Sequence, residues 1–383
     1  MRAFLGSAAL GAAAAVVLGL GATPAAADIK VGAVLSVTGP ASFLGEPEEK
    51  TLKLYVDDIN AKGGVNGQKL QLIVYDDGGD ANKARTFATR LVEEDKVAVI
   101  LGGSTTGTSM AMIPVFEEAQ LPFISMGGGA VIVEPVKKFT FKTPHSDALA
   151  CEKIFDDIKK RGMTKIGLIG GTDGFGKSMM ASCQKLAPKY GLEIVGEETY
   201  NPADKDMTPQ LTNLKNKPGI QALVGASFGS PAAVLTRNIK QLGLTLAYYQ
   251  NHGVASKTFI ELSGDAAEGV RLPAAAVLVA EQLPDSDPQK AVSVAYRKHY
   301  ETATKQPIST FGGHAYDALM LAVEAMKRAG SADPKKVRDE IEKTKGFAGT
   351  GGIFNMSPTD HQGLDLASFK MLEIRNKDWK VVN

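Results

Sequence analysis

Short apolar runs edged by glycine alternate with amphipathic stretches along almost the whole chain, and that rhythm admits few architectures. Ile29–Leu35 and residues 70–75, 98–101 and 122–124 read as strands; residues 47–62, 82–94 and 109–119 between them carry helical spacing. The rhythm restarts with helices at 147–161, 177–190, 208–216 and 232–241, now alternating with strands at 166–169, 194–198, 222–224 and 246–249. Strands that alternate with helices in this way build parallel sheets covered on both faces. Later helices are expected at 291–303, 313–329 and 334–343, the last capped by Ser331 or Asp333. The tail, 368–374 and 379–382, reads as a strand pair with no helix of its own, so it must pack on something earlier. At 383 residues the chain suits two domains rather than one core. No low-complexity linker separates the halves, which favours several crossings between two α/β lobes over one flexible tether. Open α/β sheets bind ligands at the carboxyl ends of their strands, which places a site in the cleft between the lobes.

The first residues carry a different signal. Arg2 is the only charge before Asp28; an apolar run, 8–20, follows it and ends in Thr23, Pro24, Ala25, Ala26 and Ala27. That is the layout of a secretory signal peptide over residues 1–27, so export to the periplasm is expected. No later run is long and apolar enough to span a bilayer. Lys and Arg total 43 against 42 for Asp and Glu, so neither nucleic acid nor an anionic membrane is expected as a partner. Cys151 and Cys183 fall in two helices flanking one strand; in an oxidising compartment they form either one disulfide or two buried thiols. Their spacing fits no zinc motif, and no cofactor or metal is expected.

The loops after the strands hold the candidate chemistry. Gly171, Gly176, Lys177 and Ser178 match the phosphate-binding pattern G-x-x-x-x-G-K-S between a strand and a helix. Nucleoside triphosphates are scarce outside the cytoplasm, so a secreted hydrolase is a remote alternative; the competing reading is a glycine turn that presents Phe175 to the cleft. A second loop, with Ser104, Thr105 and Thr106, opens a helix with hydroxyls and free N–H groups. A third carries Ser125, Gly127, Gly128 and Gly129, where glycines let a ligand approach the backbone. Together they make a cup of donors without lysine or arginine, suited to one small carboxylate. His252 follows a strand and so reaches the cleft, although a lone histidine is more often structural. His145, His299, His314 and His361 carry no special signal. Asp76, Asp77 and Asp80 do not fit a calcium loop and read as solvated. No enzyme activity is expected.

Ile29–Ala33 (IKVGA), Thr38 with Gly39 and Pro40, Gly45, the run from Asp58 to Gly67 (DINAKGGVNG), Tyr75 to Asp77, Phe175 with Gly176, and Lys240 to Gly243 form a connected pattern. On these residues the chain resembles the periplasmic Leu/Ile/Val-binding protein family, the type I solute-binding proteins of ABC importers. The resemblance implies two doubly wound parallel-sheet lobes joined by three hinge strands, with the ligand in the cleft. It places residues 28–144 and 273–354 in the N-terminal lobe, and 145–272 and 355–383 in the C-terminal lobe. Hinges are implied at 141–144, 270–273 and near Ser368. A monomer that hands its ligand to the membrane permease of an ABC importer is expected.

Carried over residue by residue, Thr106 corresponds to the family's carboxylate-binding hydroxyl and Gly127, Gly128 and Gly129 to the loop that donates N–H groups beside it. Phe175 corresponds to an aromatic lining residue, and Ser227 and Phe228 to the aromatic region of the second lobe. His252 stands where amino-acid binders place the acid that holds the ligand's ammonium, and Leu44 where tyrosine is common. Gly79 and Thr105 occupy the positions of the branched-chain receptors' disulfide. Burying an unpaired ammonium costs several kcal/mol. A histidine can instead donate to a ketone, hydroxyl or second carboxylate. With Phe43, Leu44, Phe175 and Phe228 adding apolar surface, an aromatic carboxylate without an α-ammonium is expected: a benzoate, a phenylpropenoate or an aromatic 2-oxo acid. A branched-chain or other apolar amino acid is the alternative.

Overall fold

The computed structural model describes residues 27–382, so the expected leader lies outside the described residues save for Ala27. Along the first part of the chain run β1 (Ile29–Leu35), α1 (Ser42–Ala61), β2 (Leu70–Asp76), α2 (Ala81–Arg90), β3 (Val99–Gly102), α3 (Thr106–Ala119), β4 (Phe123–Ser125) and β5 (Thr140–Lys142). The second part holds α4 (Asp147–Lys160), β6 (Lys165–Gly171), α5 (Gly174–Leu186), β7 (Glu193–Tyr200), α6 (Thr208–Lys215), β8 (Ala222–Ala226), α7 (Gly229–Gln241), β9 (Ala247–Tyr249), α8 (Lys257–Ser263) and β10 (Arg271–Ala275). Then come α9 (Lys290–Thr304), α10 (Thr310–Ala329), α11 (Pro334–Glu342), the short β11 (Phe347–Ala348) and β12 (Ile353–Phe354), and the hairpin β13 (Phe369–Arg375) and β14 (Asp378–Val381).

Two sheets result. The first has the order β2-β1-β3-β4-β5 and is wholly parallel. The second has the order β14-β13-β10-β9-β8-β6-β7, parallel from β10 to β7 and antiparallel at the final hairpin. Central parallel strands lie under helices on both faces, and the sequence shows it: Val31, Ala33, Val34 and Leu35 of β1 are all buried. The orphan tail finds its place on β10, where Leu272 pairs with Leu372 and Trp379 is buried behind it.

The chain passes between the sheets three times: after β5, after β10 and before β13. Between the last two passes α10 returns to the first sheet, where Ala315, Leu319 and Ala322 pack with Val31, Leu101 and Ile124. The segment after Phe354 departs from expectation. Met356 and Leu364 join the first lobe's core, and His361 stacks on Phe141 with Nδ1 2.8 Å from the Thr140 carbonyl. These contacts hold residues 355–364 on the first sheet, so the third crossing falls at Ser368 rather than at 355. Cys151 on α4 and Cys183 on α5 are bonded, with Cα atoms 5.3 Å apart.

Candidate functional site

The carboxyl ends of β3 and β4 face those of β6, β8 and β9 across a small chamber of about 30 Å³. Leu44, Thr106, Gly128 and His314 line it from the first lobe, and Phe175, Phe228 and His252 from the second. A wider cleft of about 620 Å³ opens outward past Thr105 and Phe175 toward Tyr200 and Ser227. The lobes are close together at its edge: a Cβ on Gly174 would lie 3.3 Å from the Cα of Gly107. The chamber has room for little more than a water or two, so a larger ligand needs the lobes to part.

The loop between β3 and α3 is held from behind. Ser104 Oγ donates to buried Glu48 and accepts from the N–H of Ser36 at 3.0 Å. Burial pushes the Glu48 carboxyl well above its ordinary range, partly offset by that serine. Thr105 caps α3, its hydroxyl accepting from the N–H of Thr108 at 3.1 Å. Thr106 alone of the three leaves a donor for the chamber: its Oγ1 accepts from the N–H of Gly129 at 3.0 Å, and its own O–H remains.

The glycine loop divides its work in the same way. Ser125 Oγ accepts from the N–H of Gly127 at 3.0 Å and lies 2.7 Å from Ser109 Oγ, away from the chamber. Gly127 and Gly129 are packed against Ile132 and Thr106, where a Cβ would lie within 2.7 Å of a side-chain atom. Gly128 is the one that opens to the chamber, and its N–H has no hydrogen bond among the described residues. So Ser104, Ser125, Gly127 and Gly129, expected as donors to a ligand, are committed to shaping the loops that present Thr106 and Gly128. The cup also has a lysine that sequence reasoning missed. Lys142, at the end of β5, is fully buried and donates to the carbonyls of Gly128 and Gly129, at 2.8 and 3.4 Å. Burial lowers its pKa to about 7, against the pull of Asp147 and Glu134. Its place at the end of β5, where the chain first leaves the first sheet, and not any local motif, brings it there.

Two histidines meet the chamber. His252 is 7% exposed, and neither ring nitrogen has a partner among the described residues. His314, on α10, is 5% exposed, and its Nδ1 has none. It was expected to carry no signal; it sits near the start of α10, and only the return of α10 to the first sheet turns it inward. Burial pulls both imidazoles below their usual range, His314 to about 3, with Lys142 adding to the effect. Nearby His145 is spoken for, stacked on Phe369 at 3.8 Å with Nε2 2.9 Å from Ser368 Oγ.

Aromatic rings from both lobes close the rest. Phe175 and Phe228 stand edge to face at 5.9 Å, and Phe43 bridges Phe228 and Phe311 at 6.2 and 5.7 Å. Phe43 therefore backs the wall, while Ser227 lines the outer cleft. Among the described residues no acidic side chain lines the chamber. The phosphate-like loop is also filled: Asp173 caps α5 and accepts from the N–H groups of Phe175 and Gly176 at 2.9 and 3.0 Å, while Lys177 is exposed. A phosphate would meet a carboxylate there. Asp77, expected to be solvated, is buried and accepts from Ser36 Oγ at 2.7 Å, pinning the β1 and β2 loops together.

Known proteins share this plan. A family profile described as "Periplasmic binding protein" matches residues 28–374. The leucine-, isoleucine-, valine-, threonine- and alanine-binding protein of Pseudomonas aeruginosa is 25% identical over 344 residues, 89% of each chain. A Leu/Ile/Val-binding protein homolog of Brucella abortus is 26% identical over 88% of each. An extracellular ligand-binding receptor from Rhodopseudomonas palustris superposes with a TM-score of 0.86 at 31% identity, covering 93% of this chain and 99% of that one. A branched-chain amino acid transporter substrate binding protein from Streptococcus pneumoniae, solved with isoleucine, shares the fold at 23% identity and a TM-score of 0.81, over 93% and 99%. Among the described residues no helix is long and apolar enough to cross a membrane. The two parallel-sheet lobes, the chamber between their strand ends and the match over residues 28–374 lead to one conclusion: this chain belongs to the periplasmic binding protein family, as a type I solute-binding receptor of ABC-type transport.

Proposed function

We propose that the receptor captures a small carboxylate without an α-ammonium, foremost an aromatic acid, and delivers it unchanged to the membrane permease of an ABC importer. The observation that carries this reading is the pairing of His252, with both ring nitrogens unpartnered, and a chamber that no carboxylate lines among the described residues. An ammonium buried there would be an uncompensated charge. The carboxylate would take the O–H of Thr106 and the N–H of Gly128, with Lys142 behind the loop as the nearest positive charge. The ring would lie among Phe175, Phe228 and Leu44. Ligand binding would favour the closed arrangement of the lobes, with bending at 141–144, 270–273 and near Ser368, and the closed form would be what the permease reads. On this reading the chain works as a periplasmic monomer, exported by the leader at residues 1–27, and turns over no substrate.

The names of the Pseudomonas and Brucella relatives favour a second reading, a receptor for branched-chain or other apolar amino acids. A thermal-shift screen separates the two. The protein is unfolded and refolded to strip carried ligand, then screened against aromatic acids, aromatic 2-oxo acids, aliphatic dicarboxylates and apolar amino acids. A ligand at 100 times its Kd adds about 2.7 kcal/mol to the folded state. Stabilisation by the acids and not by leucine or phenylalanine is expected. The reverse pattern would overturn the first reading and establish the second.

A further inference from the structure

His252 and His314 come from opposite lobes, line one chamber, and together hold three ring nitrogens with no partner among the described residues: Nδ1 and Nε2 of His252 and Nδ1 of His314. Buried polar groups are nearly always paired, and each exception calls for an explanation. Neither helix capping nor a neighbouring side chain supplies one here. His145, by contrast, shows how the same fold satisfies an imidazole that has only a structural place, with its bond to Ser368 and its stack on Phe369.

The position of His252 narrows what fills the gap. A Cβ on Gly128 would lie 2.7 Å from His252 Nε2, so this nitrogen stands beside the backbone that would hold the ligand's carboxylate. A group that reaches it must sit within a bond or two of that carboxylate, not at the far end of the ring. Neutral imidazoles each offer one N–H donor, and burial keeps these two neutral. Two donors on the wall of a chamber of about 30 Å³ match an oxygen with two lone pairs.

We infer that His252 and His314 clamp a second oxygen on the carbon next to the ligand's carboxylate, which makes the preferred ligand a 2-oxo acid with an apolar or aromatic tail. This rests on the carboxylate reading above and narrows it. The clamp also explains how a ligand could draw the lobes together, since one oxygen would bridge α10 of the first lobe and the turn after β9 of the second.

Three probes on one skeleton test it. 3-Phenylpropanoate, phenylpyruvate and phenylalanine differ only in bearing hydrogen, oxo or ammonium at that carbon. Titration calorimetry on the stripped, refolded full chain should show phenylpyruvate binding at least about tenfold tighter than 3-phenylpropanoate, the margin of a well-made hydrogen bond in a buried site. His314→Leu should erase that margin, read as the ratio of the two affinities measured in the same variant. His314→Gln, which keeps a donor, should restore part of it. Equal affinity of the wild-type protein for phenylpyruvate and 3-phenylpropanoate overturns the clamp and leaves the carboxylate reading standing. Binding of phenylalanine alone, or of none of the three, overturns the aromatic-acid reading itself. The wild-type comparison needs no variant, so poor folding of His314→Leu would not blunt the test.

Discussion

A Cβ built on Gly128 would lie 2.7 Å from Nε2 of His252 and 2.9 Å from Cε2 of Phe175, so the loop after β4 meets the opposite lobe with no side chain of its own. Gly128 therefore keeps open the space where a carboxylate would meet imidazole and phenyl ring. Gly128→Ala should lower affinity for the best acid of the panel by at least about tenfold, because the methyl group takes the ligand's place and displaces both rings. The melting temperature should change by only a few degrees, since the backbone there can accept alanine. Calorimetric titration beside a thermal melt checks this; unchanged affinity would put the ligand elsewhere in the cleft.

Thr106 has two jobs that one substitution removes and another keeps. Its oxygen accepts from the N–H of Gly129 at 3.0 Å, and its O–H faces the chamber. Thr106→Val leaves that buried N–H unsatisfied, a penalty of about 1–3 kcal/mol, and deletes the donor to the carboxylate. Stability should drop by that amount in urea melts, and affinity by at least about tenfold. Thr106→Ser should hold both near wild type. Full affinity in Thr106→Val would remove the threonine from the site.

The fold was legible in the sequence because parallel strands buried on both faces read as unbroken apolar runs, as β1 does, and because the tail had too little helix to stand alone. The loops could be placed for the same reason: they follow strand ends. What each loop residue does was less legible. Ser104 and Thr106 are two positions apart and chemically alike, yet one is turned to Glu48 and the other to the chamber. Lys142 and His314 carry no local pattern at all. One lies at the end of an edge strand and the other in a helix that joins the first sheet from some 170 residues later, at 171 positions from its hydrogen-bonded neighbour Thr143. Long-range topology, which periodicity does not encode, sets both.

Lys142 should leave a mark on stability. Burial holds its pKa at about 7, whereas in the unfolded chain a lysine titrates near 10.4. Between those values the unfolded chain binds more protons, so this lysine makes the fold more stable as pH rises from about 7 to 10. Asp147 and Glu134 oppose the shift, and His145, His252 and His314 face the same site, all kept neutral by burial over that range. Lys142→Met should abolish this part of the slope. Urea melts at pH 7 and 9.5 should show the wild type gaining about 1–3 kcal/mol relative to the variant. Parallel pH profiles would mean that the ammonium is solvated or tightly paired. The variant should also bind the acid ligand more weakly at pH 6, where the wild-type ammonium is charged behind Gly128.

The Cys151–Cys183 bond tests whether α5 can hold Phe175 in place unaided. The bond closes a loop with a sequence separation of 32 and joins α4 to α5 on the second sheet. Constraining a loop of that length stabilises a fold by about 3–4 kcal/mol through the unfolded chain. Replacing both cysteines with alanine should lower stability by roughly that much, read from the urea midpoint at constant slope. Affinity should survive. Neither cysteine lines the chamber, and the start of α5 is fixed independently, by Asp173 accepting from Phe175 and Gly176. Under conditions where the variant is fully folded, a large loss of affinity would show that the bond, not the cap, sets the position of Phe175. Asp173→Ala should then be the milder change. If the cap governs instead, Asp173→Ala weakens ligand binding while the cysteine variant does not.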